Sequence, residues 1–395
     1  MSTITFRRAP RRRSGRLGLH LGGTLGPFGS YLVIPVLPEI ADHHGVSLQV
    51  AAWSVSAYTF TLAAAMFVTG RAARRWGLER TVRVGYLAFA LASVVCVLAP
   101  GIAWFLLGRG LQGMANALTT PLLVVILQQR VESRQLGREL GLFGSAQAAG
   151  MAFAPAVGGA LAIVDYRLGF VLTALVSLAL ALTSGRGVPA VAAATPRRRS
   201  GRSRVNPLLL RSCLVALSFN IAASGVLVLA ATLGEGRLDL APSTRGLIIG
   251  AYGLAGLVAA PAVGRLVDAL GVRATGFVSF ATLAATVTAT GWSGGAATLV
   301  VAVAVAGATA TASRVVTNTL ALASSPADPA GAASASMAMM FLGAALAPLL
   351  LLPAYGAAPH LAFALAGLGP VLAAGLVVLR LPGPAPLPAP AAGDS

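Results

Sequence analysis

Polar side chains recur at helical spacing within one strongly apolar segment of the chain. They stand at steps of three or four residues and are Arg109, Gln112, Asn116 and Thr120. Residues so spaced share one face of a helix. Arg109 lies about seven residues, or roughly 10 Å, into the segment, and a charge at that depth in a membrane normally faces the protein interior. We expect this stripe to line a central cavity; the alternative is that it joins neighbouring helices.

Other polar and aromatic residues within apolar segments are candidates for the same cavity. They are Tyr31, Tyr58, Asn220 and Tyr252. For Asn220, hydrogen bonding between helices is an equal alternative, because amide side chains often join helices in membranes. We expect His20 to be a solvated histidine near one end of its segment, and Arg314 to snorkel from a similar position to the membrane surface.

The acidic residues would determine proton coupling and substrate charge in a chain that carries a substrate across a membrane. None of the eleven acids falls near the middle of a predicted segment. A proton-coupled carrier normally requires a protonatable group that changes its exposure, and Glu39 is the best candidate, followed by Asp42. The alternative is that both are exposed loop acids. With Arg109 in the cavity and no acid beside it, the sequence predicts a neutral or weakly acidic amphipathic substrate.

Composition predicts how these residues are positioned. The chain has 395 residues, of which 56% are hydrophobic and 10% charged, whereas a soluble domain has roughly a quarter charged residues. Apolar runs of about 20 residues can each span a membrane as a helix, and their continuity excludes the alternation of a membrane β-barrel. The twelve predicted helices are 17–38, 50–71, 81–100, 102–128, 137–163, 167–187, 207–233, 243–268, 272–292, 295–323, 330–354 and 358–380.

The arginines indicate how the chain is oriented. If both termini lie inside, the outer loops hold only Arg167, Arg237 and Arg245, which matches the excess of positive charge found on cytoplasmic loops. The +18 net charge therefore marks the cytoplasmic face and does not indicate nucleic-acid binding. We expect a multi-pass protein of a bacterial plasma membrane whose first helix is not cleaved. Its predicted parts are a basic N-terminus (1–16), a six-helix half (17–187), a linker (188–206), a second half (207–380) and a disordered tail (381–395).

An internal repeat divides the helices into two halves. Tyr58 corresponds to Tyr252, and Gly113 to Gly307, at an offset of 194 residues. The same offset relates Gly70-Arg71 to Gly264-Arg265 and Gly77 to Gly271. An offset of 193 residues relates Gly150-x-x-x-Ala154-Pro155 to Gly343-x-x-x-Ala347-Pro348. Parallel six-helix repeats place a substrate path at their shared interface.

The repeated segment carries the closest resemblance to a known family. Residues 70–77 and 264–273 resemble the G-x-x-x-D-R-x-G-R motif of the major facilitator superfamily. That resemblance implies twelve helices in two pseudo-symmetric halves, an all-α fold and no cofactor. In the family this motif acts in gating. The resemblance therefore implies a gating role for Gly70, Arg71, Gly77, Gly264 and Gly271. The first copy has Arg74 at the acidic position, whereas the second keeps Asp268.

Three further motifs resemble those of drug:proton antiporters within that superfamily. Residues 109–113 resemble R-x-x-Q-G, and residues 34–41 resemble a sequence that ends the first helix of drug exporters. Residues 150–159 resemble the antiporter motif G-x-x-x-G-P-x-x-G-G, with Ala154 in place of one glycine. Proline kinks a membrane helix and small residues allow close packing. The resemblance gives Gly150, Pro155, Gly158 and Gly159 a conformational role.

The sequence favours a proton-driven exporter of drugs or secondary metabolites. An importer or facilitator of a small metabolite, or a membrane sensor or scaffold without transport, remains an alternative. An enzyme is the least favoured class, because Cys96 and Cys213 lie in apolar runs and neither a metal cluster nor a phosphate loop is found. The expected partners are membrane lipid, a small-molecule substrate and protons, with no nucleic acid, and the expected state is a monomer.

Overall fold

The structure of the chain is a computed structural model. It describes residues 13–131, 133–184, 206–325 and 328–378. The predicted basic N-terminus, the linker and the tail lie largely or wholly outside these residues. Within the described ranges the chain is almost entirely helical, which confirms the predicted all-α class.

Thirteen helices and one 3₁₀ turn, Ile34–Val36, account for the described chain. The helices are α1 (Arg13–Tyr31), α2 (Leu37–His44), α3 (Leu48–Trp76), α4 (Leu78–Val97), α5 (Ile102–Ala117), α6 (Thr120–Arg130), α7 (Ser133–Leu161), α8 (Arg167–Thr183), α9 (Pro207–Gly236), α10 (Pro242–Thr290), α11 (Ala296–Ser324), α12 (Pro329–Ala357) and α13 (Pro359–Val378).

These helices are consistent with the twelve predicted segments. Ten stretches of the described chain are long and apolar enough to cross a membrane. One of them, α10, joins two helices at the non-helical Gly271, and the apolar α8 is a shorter segment. The chain is therefore a polytopic helical membrane protein with the predicted order of segments.

Two predicted helices are interrupted, and proline explains both breaks. The first predicted segment, 17–38, divides into α1, the 3₁₀ turn that contains Pro35, and α2. The fourth, 102–128, divides at Leu118 and Thr119, just before Pro121 at the start of α6. Proline lacks the backbone N–H that a helix interior requires. Asp42 consequently belongs to α2 and not to a loop.

The offset of 194 residues appears in the backbone geometry. Gly77 joins α3 to α4 with φ 83° and ψ 153°, and Gly271 has φ 78° and ψ 162°. Such positive φ angles are accessible mainly to glycine. We call the end of the bundle that holds these two turns the basic face, because Arg71, Arg74 and Arg75 are exposed there. The other end is the opposite face.

A second pair of glycines has equivalent contacts within each half. A Cβ atom built on Gly113 would lie 2.1 Å from the Tyr58 carbonyl oxygen, and one built on Gly307 would lie 2.0 Å from the Tyr252 carbonyl oxygen. Each glycine thus allows two helices of its own half to touch backbone to backbone, as small residues do in membrane helix pairs. The halves therefore share a packing device as well as a sequence pattern.

We expect Gly113→Ala and Gly307→Ala each to destabilise the protein by about 1–3 kcal/mol, the usual cost of overpacking. The added methyl group would meet a rigid carbonyl and push two helices apart. Thermal unfolding of the purified protein measures the effect. Gly141→Ala and Gly375→Ala are matched controls, because nothing lies within 4 Å of a Cβ at either helical position. Equal stability of all four variants would contradict the proposed helix contact.

The two halves pack through α7 with α10 and through α3 with α12. Ser56 on α3 donates a hydrogen bond to the Ala345 carbonyl on α12, with an Oγ–O distance of 2.6 Å. Both residues lie in the part of their helices nearer the opposite face. This interface is where a site shared by the halves would lie.

Candidate functional site

Arg109 is buried within the first half and surrounded by acceptors. Its side chain has no solvent exposure. The guanidinium donates from Nη1 to the Gly29 carbonyl at 2.9 Å and to Gln112 Oε1 at 2.7 Å. Its Nε donates to the Ser54 carbonyl at 3.3 Å. These bonds connect α5 to α1 and α3, so neutral dipoles compensate the buried charge.

Aromatic rings and a second amide complete the surroundings of Arg109. The guanidinium carbon lies 4.6 Å from the Tyr58 ring centre and 5.8 Å from that of Phe170, within the range of cation–π attraction. Gln112 Nε2 donates to Ser93 Oγ on α4 at 2.8 Å. The structure therefore places Arg109 and Gln112 inside the packed first half, where they join helices, and not on a cavity surface as the sequence predicted.

The two predicted asparagines and Tyr58 are also occupied by helix contacts. Asn116 Oδ1 accepts from Thr120 Oγ1 at 2.7 Å, and Tyr58 donates its hydroxyl to the Gly26 carbonyl at 2.9 Å. Asn220 Nδ2 donates to the Met340 carbonyl at 2.5 Å, which joins α9 to α12. For these residues, too, the structure shows side chains that hold helices together.

Arg314 lies deeper than the sequence indicated. It is ten residues from the C-terminal end of the 29-residue α11, which corresponds to about 15 Å along the axis. Its Nη1 lies 3.9 Å from Met151 Sδ on α7, in the other half. The prediction that Arg314 snorkels to the surface is therefore wrong: the side chain crosses the interface between the halves near mid-helix.

Two tyrosines belong to the same region. Tyr252 on α10 is buried, and its carbonyl packs against Gly307 of α11, which lies two turns before Arg314 on the same face of that helix. Tyr31 on α1 is only partly buried and packs against the hydrophobic cluster that contains Tyr252. Of the predicted cavity residues, Tyr31 and Tyr252 are therefore near the interface, and the arginine on the α11 face that packs against Tyr252 is Arg314, not Arg109.

Glu39 forms an ion pair that the sequence did not reveal. Its carboxylate contacts the guanidinium of Arg245, which joins α2 of the first half to the first turn of α10 in the second. Arg245 is only 2% exposed and Glu39 24%. The assignment of Arg245 to an outer loop is therefore wrong, because it lies inside the protein near the opposite face. Asp42, the second coupling candidate, is exposed.

One signal could have drawn attention to Arg245. The position 194 residues earlier is Ala51, so the charge has no counterpart in the first half. The same asymmetry singled out Arg109, whose counterpart is Val303. An unrepeated charge breaks the pseudo-symmetry and needs its own partner, which here is Glu39.

Part of the antiporter-like motif packs against α1. A Cβ on Gly150 would lie 2.7 Å from the Thr24 carbonyl oxygen, and one on Gly158 would lie 2.4 Å from the Leu32 carbonyl oxygen. These contacts hold α7 against α1 within the first half. They explain why side chains larger than hydrogen are excluded at these two positions.

The rest of that motif packs across the interface. A Cβ on Gly159 would lie 2.2 Å from the Pro242 carbonyl oxygen, and one on Gly246 would lie 2.3 Å from the Pro155 carbonyl oxygen. The outer turns of α7 and α10 are therefore in backbone contact beside the Glu39–Arg245 pair. The opposite face is closed by this contact.

Both of the paired loop motifs lie at the basic face. The exposed members are Gly70, Arg71, Arg74, Gly264 and Asp268, and Gly77 and Gly271 form the turns. Their gating role stays a prediction.

The prediction that His20 is solvated is wrong. Its Nε2 lies 3.0 Å from Glu139 Oε2 on α7, and the two side chains are only 16% and 11% exposed, so His20 is paired inside the protein.

Fold and interface together define a helical membrane protein with two repeated halves. The chain belongs to the Major Facilitator Superfamily, whose model matches residues 19–236. The fold resembles a bacterial homolog of the human lysosomal transporter Spinster in an inward-facing, unoccupied conformation, with a TM-score of 0.75, 17% identity and coverage of 94% of this chain and 97% of the other. The family points to a transporter rather than to an enzyme.

Named relatives include a probable transporter and two resistance proteins. The chain is 31% identical over 196 residues to the puromycin resistance protein pur8 of Streptomyces alboniger, covering 49% of this chain and 38% of the relative. It is 28% identical over 228 residues to a probable actinorhodin transporter of Streptomyces coelicolor, covering 57% and 38%. A multidrug resistance protein B homolog of Mycobacterium tuberculosis is 32% identical over 120 residues, covering 30% and 22%. The matches span less than half the length of each relative.

Proposed function

We propose that this chain exports an amphipathic drug or secondary metabolite in exchange for protons by alternating access, with the basic face and both termini in the cytoplasm. The names of the relatives support export of such compounds. The contact of the motif around Pro155 with α10 supports a conformational role for that motif. The proposed orientation places the arginine-rich loops inside.

The Glu39–Arg245 ion pair is the observation that carries proton coupling. It joins the two halves at the closed opposite face, so opening that face must separate the two charges. Glu39 Oε2 is buried without a hydrogen-bond partner, so the guanidinium of Arg245 is the group that stabilises the ionised carboxylate, and separation from this cation favours protonation.

A transport cycle follows from this exchange of partners. When the opposite face opens, the substrate leaves and Glu39 takes a proton from outside in place of Arg245. When the face closes, the ion pair forms again and the proton is released toward the space between the halves. Proton and substrate thus cross the membrane in opposite directions, and Glu39 returns to its ionised state.

Gradient-driven transport tests the proposal. We expect the full chain in proteoliposomes to transport one or more members of an antibiotic panel when a pH gradient is imposed, and Glu39→Gln to reduce this flux to background. The glutamine keeps the size of the side chain and can still accept from Arg245, but it cannot exchange a proton. A pH-sensitive dye inside the vesicles measures proton movement alongside substrate flux.

Asp42→Asn is the matched control, because it removes an exposed acid on the same short helix. We expect its flux to equal that of the unaltered chain. Undiminished flux in Glu39→Gln would show that Glu39 is not the coupling site. A loss of flux in Asp42→Asn alone would assign that role to Asp42. Flux of the same compounds without a gradient dependence would favour a facilitator, whereas no flux of any compound would favour a sensor or scaffold.

A further inference from the structure

Arg314 combines three features that distinguish it from the other arginines of the bundle. It lies near the middle of α11, it contacts Met151 of the other half, and it remains partly exposed. The side chain of Arg314 therefore lies at the interface between the halves, where repeated-half carriers bind their substrates, and part of it is accessible.

The charge of Arg314 has no acidic partner among the described residues. The acids that the structure describes belong to the ends of helices or to the loops, as Glu39 and Asp268 do. Arg314 Nε is moreover buried without a hydrogen-bond partner. Arg109 also has one buried nitrogen without a partner, Nη2, but its other nitrogens donate three hydrogen bonds to neutral oxygen acceptors. An unbalanced guanidinium at this depth is costly, and an anionic ligand would remove that cost.

The groups around Arg314 match one kind of anion. Arginine binds carboxylates through two parallel N–H donors. Tyr252 packs on α11 at Gly307, on the same face as Arg314, and the partly buried Tyr31 packs against the cluster that contains Tyr252; both tyrosines carry hydroxyl donors. Met151 contributes a polarisable apolar surface that adapts to different shapes. One guanidinium balances one negative charge, so the arrangement suits a monoanion attached to an apolar body.

We propose that Arg314, with Tyr31 and Tyr252, binds the carboxylate of an amphipathic substrate at the interface between the halves. This inference rests on the proposed transport function and narrows its substrate class to weak acids bound in their ionised form. It also replaces Arg109 by Arg314 as the residue that recognises substrate charge.

A matched pair of fluorescent probes tests the site by equilibrium binding. Dansyl-phenylalanine carries a carboxylate, and its carboxamide is uncharged but nearly identical in shape. We expect the full chain in lipid nanodiscs to bind the acid about tenfold more tightly than the amide, since a charge-assisted pair contributes at least that factor. Arg314→Gln should abolish this preference, and Arg314→Lys should retain part of it because the charge remains without the planar fork.

Arg237→Gln is the control, because it removes an exposed arginine at the opposite face and should leave the preference intact. Size-exclusion profiles establish that each variant is folded. Equal affinity for the two probes, binding of neither, or a preference that survives in Arg314→Gln overturns the proposal. The assay needs no gradient: selective binding without gradient-driven flux would overturn the export function alone, whereas flux without selective binding would overturn the site alone.

Discussion

Replacing Arg245 by alanine should open the opposite face of the protein. Arg245 is almost fully buried and pairs with Glu39 of the other half. Removing one partner of a buried pair costs about 3 kcal/mol, because the remaining charge is left without compensation. The buried Oε2 of Glu39 regains water only when the halves separate, so this cost applies to the closed conformation. The ratio of closed to open molecules should therefore fall by about a hundredfold.

Distances across the opposite face measure this shift. Spin labels at Val164→Cys and Glu235→Cys would report on the two halves, because both positions are exposed near that face. Cys96 and Cys213 would first be replaced by alanine. Double electron–electron resonance should show a longer distance in Arg245→Ala than in the unaltered sequence, and Glu39→Gln should change the distance in the same direction by less.

A double substitution separates loss of the pair from loss of a side chain. In Glu39→Ala with Arg245→Ala no unpaired charge remains, so the closed population should partly return. Arg237→Ala, which removes an exposed arginine, should leave the distance unchanged. A distance distribution in Arg245→Ala identical to that of the unaltered chain would show that the ion pair does not hold the face closed.

The sequence predicted those features of the fold that depend on neighbouring residues or on the internal repeat. Continuous apolar runs set the order of the membrane segments, and the offset of 194 residues identified Gly77 and Gly271, whose φ angles differ by only a few degrees. The same offset paired Gly113 with Gly307, which contact equivalent tyrosine carbonyls. Each of these features depends on the type of one residue and its distance from the next.

Contacts between distant segments were not predictable in this way. Glu39 and Arg245 are 206 positions apart, and His20 and Glu139 are 119 apart, so no periodicity relates the partners. Depth was misjudged for Arg314 because α11 has 29 residues. A helix of that length spans about 43 Å and exceeds the ~30 Å hydrocarbon core, so a position nineteen residues along it still lies roughly 9 Å inside the core.

Gly246→Ala and Gly159→Ala should also open the opposite face, but by steric conflict instead of lost charge pairing. At either position a methyl group would meet a backbone carbonyl of the other half, 2.3 Å away for Gly246 and 2.2 Å for Gly159. Backbone cannot rotate aside as a side chain can. The overpacking cost of about 1–3 kcal/mol is removed once the halves separate, so it falls on the closed conformation.

The same labels at Val164 and Glu235 should therefore report a longer distance, with a closed-to-open ratio lowered by about ten- to a hundredfold. Gly113→Ala is the informative control: its conflict with Tyr58 lies within one half, so it should lower the unfolding temperature without changing the distance. Gly101→Ala, whose Cβ would have no neighbour within 4 Å, should change neither. An unchanged distance in Gly246→Ala and Gly159→Ala, combined with lower stability, would mean that α7 and α10 stay in contact throughout the cycle and that the halves separate elsewhere.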